Sequence, residues 1–166
     1  MTKKRIGLIS DTHGLLRPEA VAFLEGCDHI IHAGDIGTPD IIDRLARIAP
    51  VTSVRGNNDK GAWADALAES ELVQLGEHLI YVIHDIAHRD IDPRAGQAGV
   101  VISGHSHRPK VQRHDGVLYI NPGSAGRQRF TLPISIGELM IDNTTIVARL
   151  ARLVKASVGA AFVRDV

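Results

Sequence analysis

Five short polar clusters in this 166-residue chain hold the residue types that bind divalent cations: Asp11-Thr12-His13, Gly34-Asp35, Gly56-Asn57-Asn58-Asp59, His84-Asp85 and Gly104-His105-Ser106-His107. Asp11 and His13 offer a hard oxygen and an imidazole two positions apart. His105 and His107 have the same spacing, and in extended backbone residues i and i+2 face one side. Two such rings can chelate one ion or hand one ring to each of two neighbouring ions. Each cluster alone has a plainer reading: a helix-capping Asp, a Gly-Asn-Asn-Asp turn, or a solvated strand end. Together, Asp11, His13, Asp35, Asn57, His84, His105 and His107 make seven O/N donors, too many for one transition metal and too few for two unless one is shared. Asp35 stands alone between the other donors and is the natural bridge, giving each ion four protein ligands and room for water. Mixed imidazole, carboxylate and amide donors suit Mn²⁺, Fe²⁺, Zn²⁺ or Ni²⁺ rather than Ca²⁺, and no thiolate selects Zn²⁺.

The elements around the clusters explain how donors so far apart in sequence can meet. Arg5–Ser10, His29–His32, Val51–Val54, His78–Ile83 and Val100–Ser103 are apolar, mostly β-branched runs, each ending in one of the clusters. Runs of this kind read as strands buried on both faces, and in open α/β sheets ligands gather beyond the carboxyl ends of the strands. Helices are expected near Pro18–Leu24 and over Asp40–Ile48, where Ile41, Leu45 and Ile48 share one face and Pro50 ends the run. Glu71–Leu75 and His78–Ile83 form a hairpin around Gly76-Glu77, and the connection from Ala87 to Gly99 carries a short helix. Lys110–Arg113 and Val117–Ile120 are strands joined by His114-Asp115-Gly116, Asn121-Pro122-Gly123-Ser124 stops the sheet, and Ile134–Ile141 with Thr144–Leu153 form a last hairpin. His32 reads as a packed histidine rather than a ligand.

Composition narrows the class. Nineteen Lys and Arg balance nineteen Asp and Glu, so nothing steers the chain towards nucleic acid or an acidic membrane, and three Phe, two Tyr and one Trp make no aromatic groove. The single Cys27 excludes an internal disulfide framework and reads as a small core residue. With no apolar stretch of membrane-spanning length and no signal peptide, the expectation is a cytoplasmic protein. Residues 1–155 read as one domain, and 156–166 as a small-residue tail, unanchored or used in a homo-oligomer contact.

The ordered set Asp11-x-His13, Gly34-Asp35, Gly56-Asn57-x-Asp59, His84 and Gly104-His105-x-His107 resembles the calcineurin-like metallophosphoesterase superfamily, and the compact length and the Asn121–Ser124 loop resemble its small prokaryotic phosphodiesterase branch. The resemblance implies an α/β fold, a four-layer α/β/β/α sandwich of two mixed sheets flanked by helices. It implies that Asp11, His13, Asp35 and His107 hold one ion and Asp35, Asn57, His84 and His105 the other, with Mn²⁺ favoured. The expected activity is hydrolysis of a small phosphodiester by a metal-bridging hydroxide, without a covalent intermediate. Two departures stand out. Larger relatives carry a histidine after the metal-binding Asn where this chain has Asn58, and relatives usually read His-Gly-His where this chain has His84-Asp85-Ile86. Without a histidine at 58, metal or water must help the leaving oxygen, and Asn58 and Arg127 become candidate phosphate contacts. The alternatives are a phosphomonoesterase, a nuclease, or a non-catalytic protein-binding scaffold like the superfamily's retromer subunit.

Overall fold

The computed structural model describes residues 3–153 and so leaves the expected 156–166 tail outside. Three apolar runs form parallel strands β1 (Lys4–Ile9), β2 (His29–His32) and β3 (Val51–Ser53). Ile9 pairs opposite His32 and His32 opposite Ser53, so the three strands finish level and deliver their clusters to one edge. The second half repeats the arrangement with the hairpin β4 (Ser70–Leu75) and β5 (His78–Ile83), then β6 (Val100–Ile102) and the hairpin β7 (Lys110–His114) and β8 (Val117–Asn121). There β5, β6 and β8 are parallel and again finish level, with Val82 opposite Ile102 and Ile102 opposite Ile120. The last hairpin, β9 (Ser135–Ile141) and β10 (Ile146–Arg152), returns to the first sheet against β1. The result is two mixed five-stranded sheets, ordered β10-β9-β1-β2-β3 and β4-β5-β6-β8-β7.

Strand alternation sorts the core into layers. Ile6, Leu8 and Ile31 point between the sheets and meet Val82, Ile102 and Ile120. Ile9 and Ile30 point the other way, onto Leu24 of α1 (Pro18–Leu24) and Ile41 and Leu45 of α2 (Pro39–Ala46). Both helices start with proline at the first helical turn, where its missing N–H costs nothing. α2 stops at Ala46, short of the expected Ile48, because Pro50 disfavours helical backbone just before it. Truncating a side chain from the inter-sheet layer, such as Leu8→Ala, costs about 2–5 kcal/mol.

The layer over the outer face of the second sheet is thin. The connection after β5 supplies only a 3-10 turn over Ile86–His88 and irregular chain, since Asp92-Pro93 and Gly96 interrupt any longer helix. Tyr81, Ile83, Val101 and Val117 are covered there by Ala98, Ile86 and Ile91. A short helix the sequence did not suggest, α3 (Ala62–Asp65), follows the Asn57 cluster. Cys27 is buried and free, and burial raises its thiol pKa, which suits a packing role. No helix among the described residues is long and apolar enough to cross a membrane.

Candidate metal centre

The chain leaves its strands through abrupt turns. Asp11, His13, Asp35, His105 and His107 all have left-handed backbone, with φ of 54°, 46°, 54°, 65° and 58°. Left-handed backbone costs an L-residue roughly 1–2 kcal/mol, and such strain clusters at functional sites. It also corrects the extended geometry expected at His105-Ser106-His107. The turn splays the two rings apart, so each serves a different half of the site.

In one half, His107 Nε2 lies 3.2 Å from Asp11 Oδ1 and His13 Nε2 lies 3.9 Å from the same oxygen. The two imidazole Nε2 atoms are 3.4 Å apart. In the other half, Asn57 Oδ1 stands 3.0 Å from both His84 Nε2 and His105 Nδ1. Asp35 joins them: its Oδ2 is 3.8 Å from His13 Nε2 and 3.4 Å from His84 Nε2. All seven donors predicted from the sequence therefore converge. The tightest groups are Asp11–His13–His107 and Asp11–Asp35–His84.

The donor set fits divalent cations on chemical grounds. Asp11 Oδ1 is buried and accepts no hydrogen bond, although Ser10 Oγ and the His105 N–H satisfy Oδ2 at 2.7 and 3.2 Å. His84 donates its Nδ1–H to the Ala33 carbonyl at 2.7 Å, which leaves the Nε2 lone pair facing the Asn57 and Asp35 oxygens. Acceptors aimed at acceptors need a proton or a cation between them. Burial lowers the His84 pKa, but Asp35 and Asp11 outweigh it and the net shift is upward. Burial opposes the charge on Asp35, yet hydrogen bonds from His84 and Asn58 hold its carboxyl well below the usual range. Burial lowers the His13 pKa despite Asp35 and Asp11, which keeps its ring neutral and able to bind metal.

Neighbouring side chains hold the donors in place. His32 is fully buried; it donates Nε2–H to Thr12 Oγ1 at 2.9 Å and accepts the Gly34 N–H on Nδ1 at 3.2 Å. Thr12 Oγ1 spends its own hydrogen on the Ile36 carbonyl, which fixes these roles. His32 thus clips the Asp11–His13 turn to the Gly34–Asp35 turn, as a packed histidine would. Asp59 is buried and accepts the Gly37 and Gly56 N–H groups, both at 2.8 Å. Asn121 donates to the Gly104 carbonyl at 2.7 Å, and Ser124 donates to the Asp11 carbonyl at 3.0 Å. Two glycines are required by close approach. A Cβ on Gly56 would lie 2.1 Å from the Asp35 nitrogen, and one on Gly104 would lie 2.0 Å from Ser10 Oγ.

The expected substrate contacts are placed differently. Asn58 donates its backbone N–H and its Nδ2–H to the two Asp35 oxygens, at 2.8 and 2.7 Å. These two bonds orient the Asp35 carboxylate and leave Asn58 one Nδ2–H. Arg127 is exposed and makes no hydrogen bond or ion pair among the described residues, whereas the charge of Arg129, two positions on, acts on His13. Asp85 was noted in the sequence as a departure but given no role; its Oδ2 lies 3.7 Å from His105 Nε2. The signal was there, in an acidic residue where relatives carry glycine.

Residues 5–144 match the calcineurin-like phosphoesterase superfamily domain. The chain belongs to that superfamily. It is 35% identical over 164 residues to a probable metallophosphoesterase of Methanothermobacter thermautotrophicus, covering 89% of this chain and 91% of the relative. A solved structure described as a novel archaeal phosphodiesterase superposes with a TM-score of 0.75 at 26% identity, covering 90% of this chain and 99% of that one. The Zn²⁺ complex of Vps29 from Entamoeba histolytica shares the fold at a TM-score of 0.77 and 21% identity, covering 98% of each chain.

Proposed function

We propose that this metallophosphoesterase is a dinuclear phosphodiesterase that hydrolyses small phosphodiesters. One observation carries the reading: a single carboxylate oxygen, Asp35 Oδ2, reaches towards both histidine clusters, 3.8 Å from His13 Nε2 and 3.4 Å from His84 Nε2. Asp11, His13, Asp35 and His107 would hold one ion, and Asp35, Asn57, His84 and His105 the other. Mn²⁺ is favoured, with Zn²⁺, Fe²⁺ and Ni²⁺ as alternatives, since the donor set mixes four imidazoles with two carboxylates and an amide and offers no thiolate. Bound there, two divalent cations supply an activated water and neutralise the charge that develops on the phosphoryl oxygens.

The chain's own groups prepare that chemistry. The Ala33 carbonyl sets the His84 tautomer, and Asn58 locks the Asp35 carboxylate in the orientation that lets one oxygen serve two partners. The buried floor of Ser10, Asp11 and Thr12 excludes water beneath the site. Asn58, which keeps one Nδ2–H, and the exposed Arg127 are the candidate contacts for a substrate phosphate. The fold likeness to Vps29 raises a scaffold reading, but all seven donor positions are filled and convergent, which favours the enzyme. The test is hydrolysis of a panel of phosphodiesters and phosphomonoesters by Mn²⁺-loaded protein, with bound metal counted. Diester turnover with two ions per chain is expected, and a well-loaded protein inert to the whole panel would exclude hydrolysis.

A further inference from the structure

Beside the Asn57–His84–His105 half lies a cavity of about 350 Å³ lined by Asn57, His84, Asp85, His88, Lys60 and Asp90 among others. If the phosphoryl group sits between the two donor clusters, as proposed above, this cavity can receive one ester arm. An alcohol arm leaves as a costly alkoxide unless a group at hand supplies a proton. Asn58 cannot, because an amide is no acid near neutral pH.

The cavity holds another candidate. Asp85 follows His84 directly, and its Oδ1 accepts the Ala87 N–H at 3.0 Å, which fixes the carboxylate at the start of the Ile86–His88 turn. His88 Nδ1 then meets Asp85 Oδ2 at 2.8 Å. A carboxylate on Nδ1 sets the ring's tautomer and orientation and leaves Nε2 for proton transfer. Asp90 accepts from Tyr81 and Ser70, and Arg55 pairs with Asp65 and Glu69. Lys60 also lines the cavity, but an ammonium is a far weaker acid than an imidazolium. The His88 side chain is 82% exposed, so it can recover a proton from bulk water.

We propose that His88, oriented by Asp85, is the general acid that protonates the departing ester oxygen, and that the cavity receives the alcohol arm of an alkyl or weakly acidic aryl diester. This rests on the proposed hydrolysis. As the P–O bond to the new hydroxyl forms and the P–O bond to the leaving arm breaks, the leaving oxygen keeps the electron pair and takes the proton from His88 Nε2. His88 is reprotonated by solvent, which also receives the proton lost by the attacking water. One water is consumed, and one monoester and one alcohol are released.

The experiment uses Mn²⁺-loaded wild type, His88→Gln and Asp85→Asn with methyl aryl phosphates running from 4-nitrophenyl, whose phenolate leaves unaided, to unsubstituted phenyl. Bound Mn²⁺ and its affinity are measured alongside. For His88→Gln, kcat should fall roughly 100-fold on the phenyl ester and less than about threefold on the 4-nitrophenyl ester, with metal content unchanged. Asp85→Asn should lose activity in the same order along the series, by less. Equal losses across the series, no loss at all, or loss of metal from His88→Gln would each overturn the assignment. Wild-type protein that binds Mn²⁺ but cleaves no ester would instead overturn the hydrolysis itself, and the acid with it.

Discussion

The two halves of the candidate centre are built from different materials. The Asp11–His13–His107 half is enclosed: Asp11 and His107 are buried, and Asp11 Oδ1 has no hydrogen-bond partner. The Asn57–His84–His105 half is open: Asn57 and His105 are exposed, it adds no carboxylate of its own, and it faces the 350 Å³ cavity. A buried unpaired carboxylate oxygen is expensive, so the first half gains most from a cation. In the second half, Asn57 Oδ1 can be met by a proton on His84, so this half has a substitute when no cation is there. Two sites that shared Asp35 in this setting would not have equal affinity. The enclosed half should fill first and tightest, and the open half should exchange metal and meet the substrate's leaving arm.

The strongest test removes what the halves share. Asp35→Asn keeps the shape but discards the charge, so both ions should be lost and turnover should fall roughly 1,000-fold or more. A variant that keeps one tight ion and substantial activity would break the bridge. The next test separates the halves. Asn57→Ala should leave one ion per chain and weaken the second by about 10- to 100-fold, while His107→Ala should cost the tight ion. Metal titration by calorimetry with stoichiometry by mass spectrometry reads both. Equal affinities in the wild type, or the same loss from either variant, would erase the asymmetry.

A third test exploits His32, which belongs to the enclosed half through Thr12 and Gly34. Burial lowers its pKa from the usual 6.5 to about 4, against the pull of Asp11 and Asp59. Below pH 6.5 the unfolded chain takes up a proton that the folded chain refuses, so stability is complete above that pH and falls as the pH drops towards 4. The span corresponds to about 3 kcal/mol. His84, with its raised pKa, contributes the opposite slope, so the decisive quantity is the difference between wild type and His32→Gln in chelator-treated protein. Urea unfolding at a series of pH values should show the steeper acid loss only in the wild type. Parallel curves would sink the neutral clip.

How much of this was legible in sequence follows from range. Strand ends are local signals, and Ile9, His32 and Ile83 stood where the apolar runs stopped, so the seven donors could be gathered from sequence. Asp35's position between the two groups of donors was also legible, from its isolation in the sequence. Backbone handedness was not, because nothing in Gly-His-Ser-His says that both histidines adopt left-handed φ. The extended reading placed their rings on one side, whereas the structure gives one to each half. The task of Asn58 was hidden too, since its carboxylate partner lies 23 positions away. Asp85 was visible only as a departure from a familiar motif, His88 gave no signal of its own, and α3 is too short to show a periodicity.

The smallest effect tests whether the enclosed half carries real strain. His13 is a β-carbon-bearing residue at φ 46°, held by backbone hydrogen bonds from its own N–H to Asp35 O and from the Gly14 N–H to Ile36 O, at 2.9 and 2.8 Å. Glycine adopts that conformation without the steric cost but loosens the unfolded chain, so the two contributions oppose each other. The ring is largely enclosed but makes no hydrogen bond that packing elsewhere depends on; its near contacts are the other donors. Removing it therefore relieves crowding of donors as well as backbone strain. His13→Gly should raise the stability of chelator-treated protein by about 1 kcal/mol while weakening the tight ion. The same substitution at a strained position with no metal role, Asp115→Gly in the β7–β8 turn at φ 49°, should relieve backbone strain against the loss of an exposed ion pair with Arg94 at 3.3 Å, and leave metal affinity unchanged. If His13→Gly destabilises the metal-free protein, the imidazole contributes to the fold itself, and the enclosed half is a packed structural element before it is a site.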